Sequence, residues 1–335
     1  MNKLLTIVIP TYNTEQYLSR CIESLIVFEY MDVLEIIVVI DGSPDNSLQL
    51  ANMYKDKYPN TIQVINKSNG GHGSTINKGL ELAKGKYFRV LDSDDWFHTE
   101  NFKVFLAKLS NANDDIVMSH LSKEYIYENR SVLEPTHGII FDKSYKIDSF
   151  DYMCLPINFF GMARCTYKTD LLRNNNLNLL ENAFFEDSYL HIFPIIFLKS
   201  FVFYDLVIYH YFLGRPGQSV SREVALKHNE HWQRLICQII EFYETNKLVF
   251  TKNSEQFLMK VMGFYVSHQY SQMNNFDYKK SKKEIANWDK FISSLPYSKL
   301  VTDYKKTLYN IFPYFVFRSL YYLRTFWMLK IYKNL

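Results

Sequence analysis

Cysteine is scarce in this 335-residue sequence: Cys21, Cys154, Cys165 and Cys237 lie far apart, and no pair has the CxxC spacing of a zinc site or redox motif. We therefore expect four free thiols in a reducing compartment. Long apolar runs are also lacking, since none reaches the ~20 residues that cross a bilayer. The N-terminal apolar run is broken by Pro10, which argues against a signal peptide. A cytoplasmic protein is expected.

Excess charge of one sign is absent too. The 38 basic and 35 acidic residues leave a net charge of +3, which gives no indication of a nucleic-acid partner. Aromatic residues, in contrast, are abundant, with 26 Tyr and 26 Phe. They predict large buried areas, and some of these rings suit a sugar site or a membrane face.

The first hundred residues alternate short apolar runs with amphipathic stretches. Residues 4–9, 34–40, 61–65 and 87–91 are typical of buried strands. The stretches between them predict helices at 17–28, from Asp45 or Asn46 to about 57, and at 74–83. This alternation predicts right-handed βαβ units and an α/β fold with a mostly parallel sheet flanked by helices.

Later parts of the chain give further elements. A strand is expected at 115–119, and one or two strands at 201–211. From residue 224 onward the chain is expected to be helical, with one apolar face formed by Trp232, Leu235, Ile236, Ile239 and Tyr243 and another by Phe257, Val261, Phe264 and Tyr265.

Polar clusters stand at the carboxyl ends of all four early strands, where parallel sheets bind their ligands. They are residues 10–13, 41–43, 66–73 and 92–95. The sequence thus predicts one cleft lined by four clusters.

The cluster after the fourth strand, Asp92-Ser93-Asp94-Asp95, holds three carboxylates within four residues. Like charges so close are best tolerated when a cation neutralises them, and Asp92 and Asp94 point the same way on an extended turn. Mg²⁺ or Mn²⁺ held there can also bind phosphate oxygens and offset charge on a departing diphosphate. The alternative is a solvated acidic turn, or Asp95 as the cap of the next helix.

Glycines mark two of the other clusters. Asp41 precedes Gly42, and a carboxylate there can accept from a pyrimidine N–H or a ribose hydroxyl, or simply belong to a turn. Residues 69–74, NGGHGS, lead into a helix whose first N–H groups suit phosphate contact, or form a tight loop of no chemical interest. His72 has no partner at ligand spacing, so a metal is not expected on it.

Glu186 and Asp187 lie in an aromatic setting, FFEDSY. Apolar surroundings raise the pKa of a carboxyl group and make it a better base. The alternative is a helix start, where the dipole favours acidic residues.

A polar segment follows the last predicted strand. Arg215, Gln218, Ser219 and Ser221 can donate hydrogen bonds to a diphosphate, or belong to an ordinary polar loop.

Taken in order, these motifs resemble those of family 2 glycosyltransferases, which have the GT-A fold. The matching segments are IVIPTYNTEQYL, VVIDGSPDNS, NGGHGSTINKGLELAKGKYFRVLDSDDW, FFEDSYL and RPGQSVS, spanning residues 4 to about 221. The resemblance implies an inverting enzyme that moves a sugar from a nucleotide diphosphate, UDP by family analogy, to a hydroxyl of a glycan, lipid-linked or glycoprotein acceptor.

The resemblance also implies roles for individual residues. Asp187 would be the general base and Glu186 would orient the acceptor. Asp94 would hold a divalent cation, Mn²⁺ or Mg²⁺, together with Asp92, and Asp95 is the competing ligand. The implied donor-binding residues are Pro10, Tyr12, Asn13 and Glu15 at the nucleobase and ribose, Asp41 and Asn69 at the base, Asp92 and Ser93 at ribose and phosphate, and Arg215, Ser219 and Ser221 over the diphosphate.

Two positions depart from the family pattern. Ile40 stands where the family often has the first of two acids, and Ile76 where it often has Arg before an Asn. A diphosphate contact is then either missing or supplied by Lys78.

The chain is expected to divide into a nucleotide-sugar-binding half (1–100), an acceptor-binding half of the same GT-A domain (101–222) and a helical C-terminal region (223–335). Residues 311–335 interleave aromatic and basic side chains, which suits peripheral contact with the inner face of the cell membrane, a packed helix pair or an oligomer contact. The alternative to an enzyme is a catalytically silent partner that binds nucleotide or glycan in an assembly complex.

Overall fold

One mixed β-sheet organises the chain. The computed structural model describes residues 3–134, 136–147, 150–151, 154–215, 218, 228–273 and 278–296. The sheet strands in these ranges are β1 (Lys3–Thr11), β2 (Leu34–Asp41), β3 (Ile62–Lys67), β4 (Gly85–Val90), β5 (Trp96–Phe97), β6 (Ile116–Tyr125), β7 (Arg130–Leu133), β8 (Ser144–Lys146), β9 (Cys165–Lys168) and β10 (Ser200–Phe212). Their order is β3-β2-β1-β4-β9-β6-β10-β5, with β7 paired to β6 and β8 to β10.

The first four strands confirm the predicted parallel βαβ arrangement. β1 pairs in parallel with β2 and β4, and β2 with β3. The intervening helices are α1 (Glu15–Glu23), α2 (Ser47–Lys57) and α3 (His72–Leu82). The prediction of the first helix to residue 28 was too long, because α1 ends at Glu23 and a separate 3-10 turn covers Phe28–Tyr30.

Both faces of this parallel part are buried, which explains its continuous apolar runs. Val8 and Val39 belong to the hydrophobic cluster on one face, and Ile7 and Ile36 belong to the cluster on the other. All four side chains are fully buried.

The second half of the sheet adds antiparallel pairs that the sequence did not indicate. β9 is antiparallel to both β4 and β6, while β10 is parallel to β6 and antiparallel to β5. The region predicted as one or two strands is the single strand β10. Helices α4 (Thr99–Ser110) and α5 (Thr169–Arg173) complete this half. The pairing brings the end of β10 beside the turn that follows β4.

Three helices follow: α6 (Asn229–Asn246), α7 (Lys252–Met273) and α8 (Tyr278–Ser294). The apolar face predicted on α6 is confirmed, since each of its five residues is at most 5% exposed. On α7, Phe257, Val261 and Tyr265 of the predicted apolar face are buried, but Phe264 is 44% exposed and does not belong to the buried face. The segment 311–335 lies outside the described residues.

Two predictions concern features that the sequence is expected to lack, namely disulfide bonds and membrane-spanning helices. All four cysteines are unpaired, two of them buried and two exposed, as expected for free thiols. Among the described residues, every helix is too short or too polar to span a bilayer.

Candidate active site

The acidic turn at residues 92–95 follows β4 and is held from several sides. The N–H of Asp95 donates to the carbonyl of Asp92 at 2.9 Å and closes the turn. Arg20 donates to the carbonyl of Asp94 at 2.9 Å. The N–H of Asp92 lies 3.4 Å from the hydroxyl oxygen of Tyr209 on β10. The backbone of the turn is therefore fixed, and its three carboxylate groups extend to different hydrogen-bond partners.

Asp95 is fully buried and has a structural partner on each oxygen. The Tyr209 hydroxyl donates to Oδ2 at 2.6 Å, and the Phe212 N–H donates to Oδ1 at 2.8 Å. Burial, followed by the charges of Asp94 and Asp92, raises the pKa of Asp95 well above its usual range. This carboxyl group fastens β10 to the acidic turn, which makes it the weakest of the three candidate metal ligands.

Asp92 and Asp94 are less buried than Asp95. Arg215 Nε donates to Asp94 Oδ2 at 2.5 Å, and His72 Nε2 lies 2.8 Å from Asp92 Oδ1. The two acidic side chains are 28% and 12% exposed, respectively. Among the described contacts, one oxygen of each accepts no hydrogen bond. Two such carboxylates fit a hard cation that takes its other oxygen ligands from a substrate.

The glycine loop after β3 is anchored by Asp41, which is only 3% exposed. The N–H groups of Gly70 and Gly71 donate to the two Asp41 oxygens at 2.9 and 2.8 Å, and Lys67 Nζ lies 2.7 Å from Oδ1. These two N–H groups thus bind a carboxylate of the protein, and phosphate contact by the first N–H groups of the following helix stays a prediction. The nucleobase contact of Asp41 stays a prediction, and its observed role is to hold the loop.

The loops after β1 and β2 are tied together. The Asn13 N–H donates to Ser43 Oγ at 2.8 Å, and the Glu15 carboxylate accepts from the backbone and side chain of Asn46 at 3.0 and 3.1 Å. Asn13 adopts a left-handed conformation with φ 54°. The side chains of Tyr12 and Asn13 are exposed, as is that of Asn69 across the neighbouring loop. Tyr12, Asn13 and Asn69 thus form an exposed rim at this edge of the sheet.

Three residues that were predicted to contact the sugar donor have other neighbours in the structure. Pro10 is buried within β1. Ser93 is 3% exposed, and its hydroxyl lies 2.8 Å from that of Thr14. Lys78 pairs with Glu81 at 2.8 Å on the same helix. Each has a structural partner or a packing role, so direct donor contact by these residues stays a prediction without support here.

Glu186 and Asp187 begin a 3-10 turn, Glu186–His191, preceded by Phe185 in a left-handed conformation with φ 69°. Glu186 is 2% exposed, and its Oε1 lies 2.6 Å from His72 Nδ1. The carboxylate of Glu186 is thus buried and contacts His72, and its predicted role in orienting the acceptor stays a prediction.

Asp187 is a second carboxyl group of this region whose pKa is raised. Burial, and then the charge of Glu186, raises its pKa from 3.8 to about 7. Burial and then the charges of Asp95, Asp92 and Asp187 also raise the pKa of Tyr211 above its usual range. The acidic turn and Asp187 are therefore close enough for their charges to act on the same groups.

His72 is the residue that the sequence analysis missed. Burial lowers its pKa, but the nearby charge of Asp92 and hydrogen bonds to Asp92 and Glu186 raise it well above 6.5. Its partners lie 20 and 114 residues away in the sequence. In the sequence, His72 stands between two glycines at the start of a helix, beside a predicted cleft lined by acidic residues. This position was the signal that could have identified it.

The loop after β10 is only partly described. Gln218 accepts from the Gly214 N–H at 2.9 Å and donates to the Phe212 carbonyl at 2.5 Å, so it holds the loop rather than facing a diphosphate. Ser219 and Ser221 lie outside the described residues.

Comparisons with known proteins agree with this architecture. Residues 6–168 match the family model "Glycosyl transferase family 2". An uncharacterized glycosyltransferase of Mycoplasma genitalium is 32% identical over 222 residues, covering 65% of this chain and 70% of that protein. The chain belongs to glycosyltransferase family 2.

Solved structures show the same fold. S. aureus TarS aligns with a TM-score of 0.64 and 19% identity over 88% of this chain, which spans 49% of the TarS chain. TarS 1-349 in complex with UDP-GlcNAc has a TM-score of 0.55 and 17% identity, covering 92% of this chain and 94% of that one. A mannosyltransferase from Pyrobaculum calidifontis, in complex with GDP-Man and Mn²⁺, has a TM-score of 0.51 and 12% identity, covering 96% and 87%. The predicted GT-A fold is thereby confirmed.

Proposed function

We propose that this protein is an inverting glycosyltransferase that moves a sugar from a UDP-sugar to a hydroxyl of a glycan, lipid-linked or protein-linked acceptor. The observation that carries the proposal is the position of Asp187. Its pKa is raised to about 7, and it lies close enough to Asp92 for the charge of Asp92 to contribute to that rise. UDP as the nucleotide is supported by the similar fold of TarS, which binds UDP-GlcNAc.

Asp187 is the proposed general base. Its ionised carboxylate takes the proton of the acceptor hydroxyl while that oxygen bonds to the anomeric carbon. The bond from the anomeric carbon to the diphosphate oxygen breaks, and the electron pair leaves with the nucleotide. Attack from the face opposite the diphosphate inverts the configuration through an oxocarbenium-like transition state. A pKa near neutrality keeps enough of the base ionised while it still binds a proton effectively.

Asp94 and Asp92 are the proposed ligands of Mn²⁺ or Mg²⁺, with Asp95 set aside because both its oxygens have partners in the core. When bound, such an ion neutralises charge on the leaving diphosphate. The Mn²⁺ in the similarly folded mannosyltransferase supports a divalent ion in general.

Arg215 is the proposed diphosphate contact, because its guanidinium already lies against Asp94 at the mouth of the cleft. A planar guanidinium donates two parallel hydrogen bonds to phosphate oxygens. The exposed rim of Tyr12, Asn13 and Asn69 is the proposed place for the uridine, with Glu15 holding the rim through Asn46.

A thermal-shift screen of nucleotide sugars with and without Mn²⁺ tests the donor half. A bound donor at a hundredfold excess over its Kd adds about 2.7 kcal/mol of stability. We expect a UDP-sugar to raise the melting temperature only with metal, and Asp94→Ala to abolish the shift. A shift that survives in this variant and is unaccompanied by sugar transfer would instead favour the silent binding partner.

A further inference from the structure

His72 joins two carboxylates that come from opposite parts of the cleft. Its Nδ1 lies 2.6 Å from Glu186 Oε1, and its Nε2 lies 2.8 Å from Asp92 Oδ1. Glu186 immediately precedes Asp187, the proposed base, whereas Asp92 is on the turn proposed to hold the metal. Among the described contacts, His72 is the side chain that touches both groups.

The position of His72 is fixed by close packing around it. It is the first residue of α3 and follows Gly71, whose φ of +84° is one that side-chain-bearing residues rarely adopt. A Cβ on Gly73 would collide with the Leu180 carbonyl oxygen and come within 2.8 Å of Glu186 Cγ. The segment that carries Glu186 therefore packs directly onto the first turn of α3.

A second contact locks the same two segments. The Asn182 N–H donates to the Gly70 carbonyl at 2.6 Å, and a Cβ on Gly71 would lie 3.2 Å from the Asn182 nitrogen. Gly71 and Gly73 thus allow the close approach of the 179–186 segment. The imidazole spans the remaining distance from that segment to the acidic turn.

We propose that His72 is a positioning residue that holds Asp92 on the donor side and Glu186, beside the base, in fixed relation to each other. The proposal rests on the proposed function, because the two carboxylates matter only if donor and acceptor meet between them. A metal-ligating carboxylate, as proposed for Asp92, loses alignment when its hydrogen-bond partner is removed, and such losses typically cost about 10- to 100-fold in affinity or activity.

Two amide substitutions separate the two contacts. The Asn amide nitrogen is as many bonds from Cβ as Nδ1 of histidine, and the Gln amide nitrogen as many as Nε2. His72→Asn is thus expected to keep a donor toward Glu186 and lose the one toward Asp92. His72→Gln is expected to keep the donor toward Asp92 and lose the one toward Glu186, and His72→Ala loses both.

The experiment measures donor KM, kcat and melting temperature for these variants of the full chain. We expect His72→Asn to raise donor KM about tenfold or more, and His72→Gln to keep donor KM within about threefold of wild type while kcat falls about 10- to 100-fold. In a Glu186→Gln background the further effect of His72→Gln on kcat should shrink to less than about threefold, because the partner is already altered.

His120→Gln is the matched control. This buried histidine also contacts a carboxylate, with Nε2 at 3.1 Å from Asp205 Oδ1, and none of its described contacts is with the acidic turn, Glu186 or Asp187. We expect it to lower the melting temperature without changing kcat or KM. The proposal is overturned if all three His72 variants keep wild-type kinetics, or if His72→Asn and His72→Gln change KM and kcat identically. If the wild-type protein transfers no sugar and binds no nucleotide sugar, the proposed function itself fails instead.

Discussion

Replacing Asp187 by Asn should make the protein more stable and nearly inactive at the same time. The rise of the Asp187 pKa from 3.8 to about 7 means that the folded protein disfavours the ionised carboxylate. At about 1.4 kcal/mol per tenfold change, that rise corresponds to at most about 4 kcal/mol. An amide of nearly the same size carries no charge and avoids this cost.

The pH dependence of this stability change follows from the linkage between protonation of Asp187 and folding. Because the pKa is raised on folding, its contribution to stability is fully present below pH 3.8 and is lost as the pH rises through about 7. The stability gain of Asp187→Asn should therefore be small near pH 4, grow as the pH rises, and level off above pH 7. Urea denaturation at pH 5, 6, 7 and 8 measures it.

Asp187→Asn should lower the catalytic activity, although it raises the stability. Loss of a general base typically costs about 10²- to 10⁴-fold, and wild-type kcat/KM should fall about tenfold per pH unit below pH 7. Asp56→Asn, at an exposed position on α2, is the control and should change neither quantity. An Asp187→Asn variant that keeps wild-type turnover, or is less stable than wild type at pH 8, would refute the assignment of the base.

Three further outcomes are expected. Asp41→Asn removes a charged acceptor from the Gly70 and Gly71 N–H groups and should cost about 1–3 kcal/mol in urea unfolding; an unchanged midpoint would contradict its role as loop anchor. Gly73→Ala forces a Cβ against the 179–186 segment and should cost about 1–3 kcal/mol, visible as a lower melting temperature, whereas wild-type stability would show that the segment yields freely. Arg215→Lys loses the planar donor pair and should raise donor KM about tenfold with little change in melting temperature; an unchanged KM would remove Arg215 from the donor site.

Much of the first half of the fold could be predicted because its signals are local. The apolar runs of β1 to β4 and the helices between them need only neighbouring residues to be recognised. The antiparallel pairs of β9 depend on contacts between residues far apart in sequence, and a four-residue strand has no periodicity long enough to reveal them.

The site was predictable in its residue types but not in its hydrogen bonds. Asp92 and Asp94 lie at a strand end as expected, because the strand pattern fixes that position. The same pattern cannot tell that Asp95, one residue on, turns into the core toward Tyr209, or that Asp41 takes up the glycine-loop N–H groups. The hydrogen bonds that these side chains make depend on which partner the folded chain brings close. The contact of His72 with Glu186 shows the same dependence.

The departures from the family pattern are also informative. Ile76 is fully buried on α3, so it packs where the family often has a charged side chain. Lys67, which sequence reasoning passed over, instead supplies a cation beside Asp41 and Ser74 at 2.7 and 2.8 Å. A positive charge therefore lies near the loop, although it comes from the end of β3 and not from α3.

The most direct test is the product itself. Wild-type protein is incubated with Mn²⁺, each common UDP-sugar and simple glycan acceptors, and the new linkage is followed by NMR together with UDP release. The inverting mechanism should release one UDP per sugar transferred, give an anomeric configuration opposite to that of the donor, and lose both signals in Asp187→Asn. A product that retains the donor configuration, or full transfer by Asp187→Asn, would contradict it.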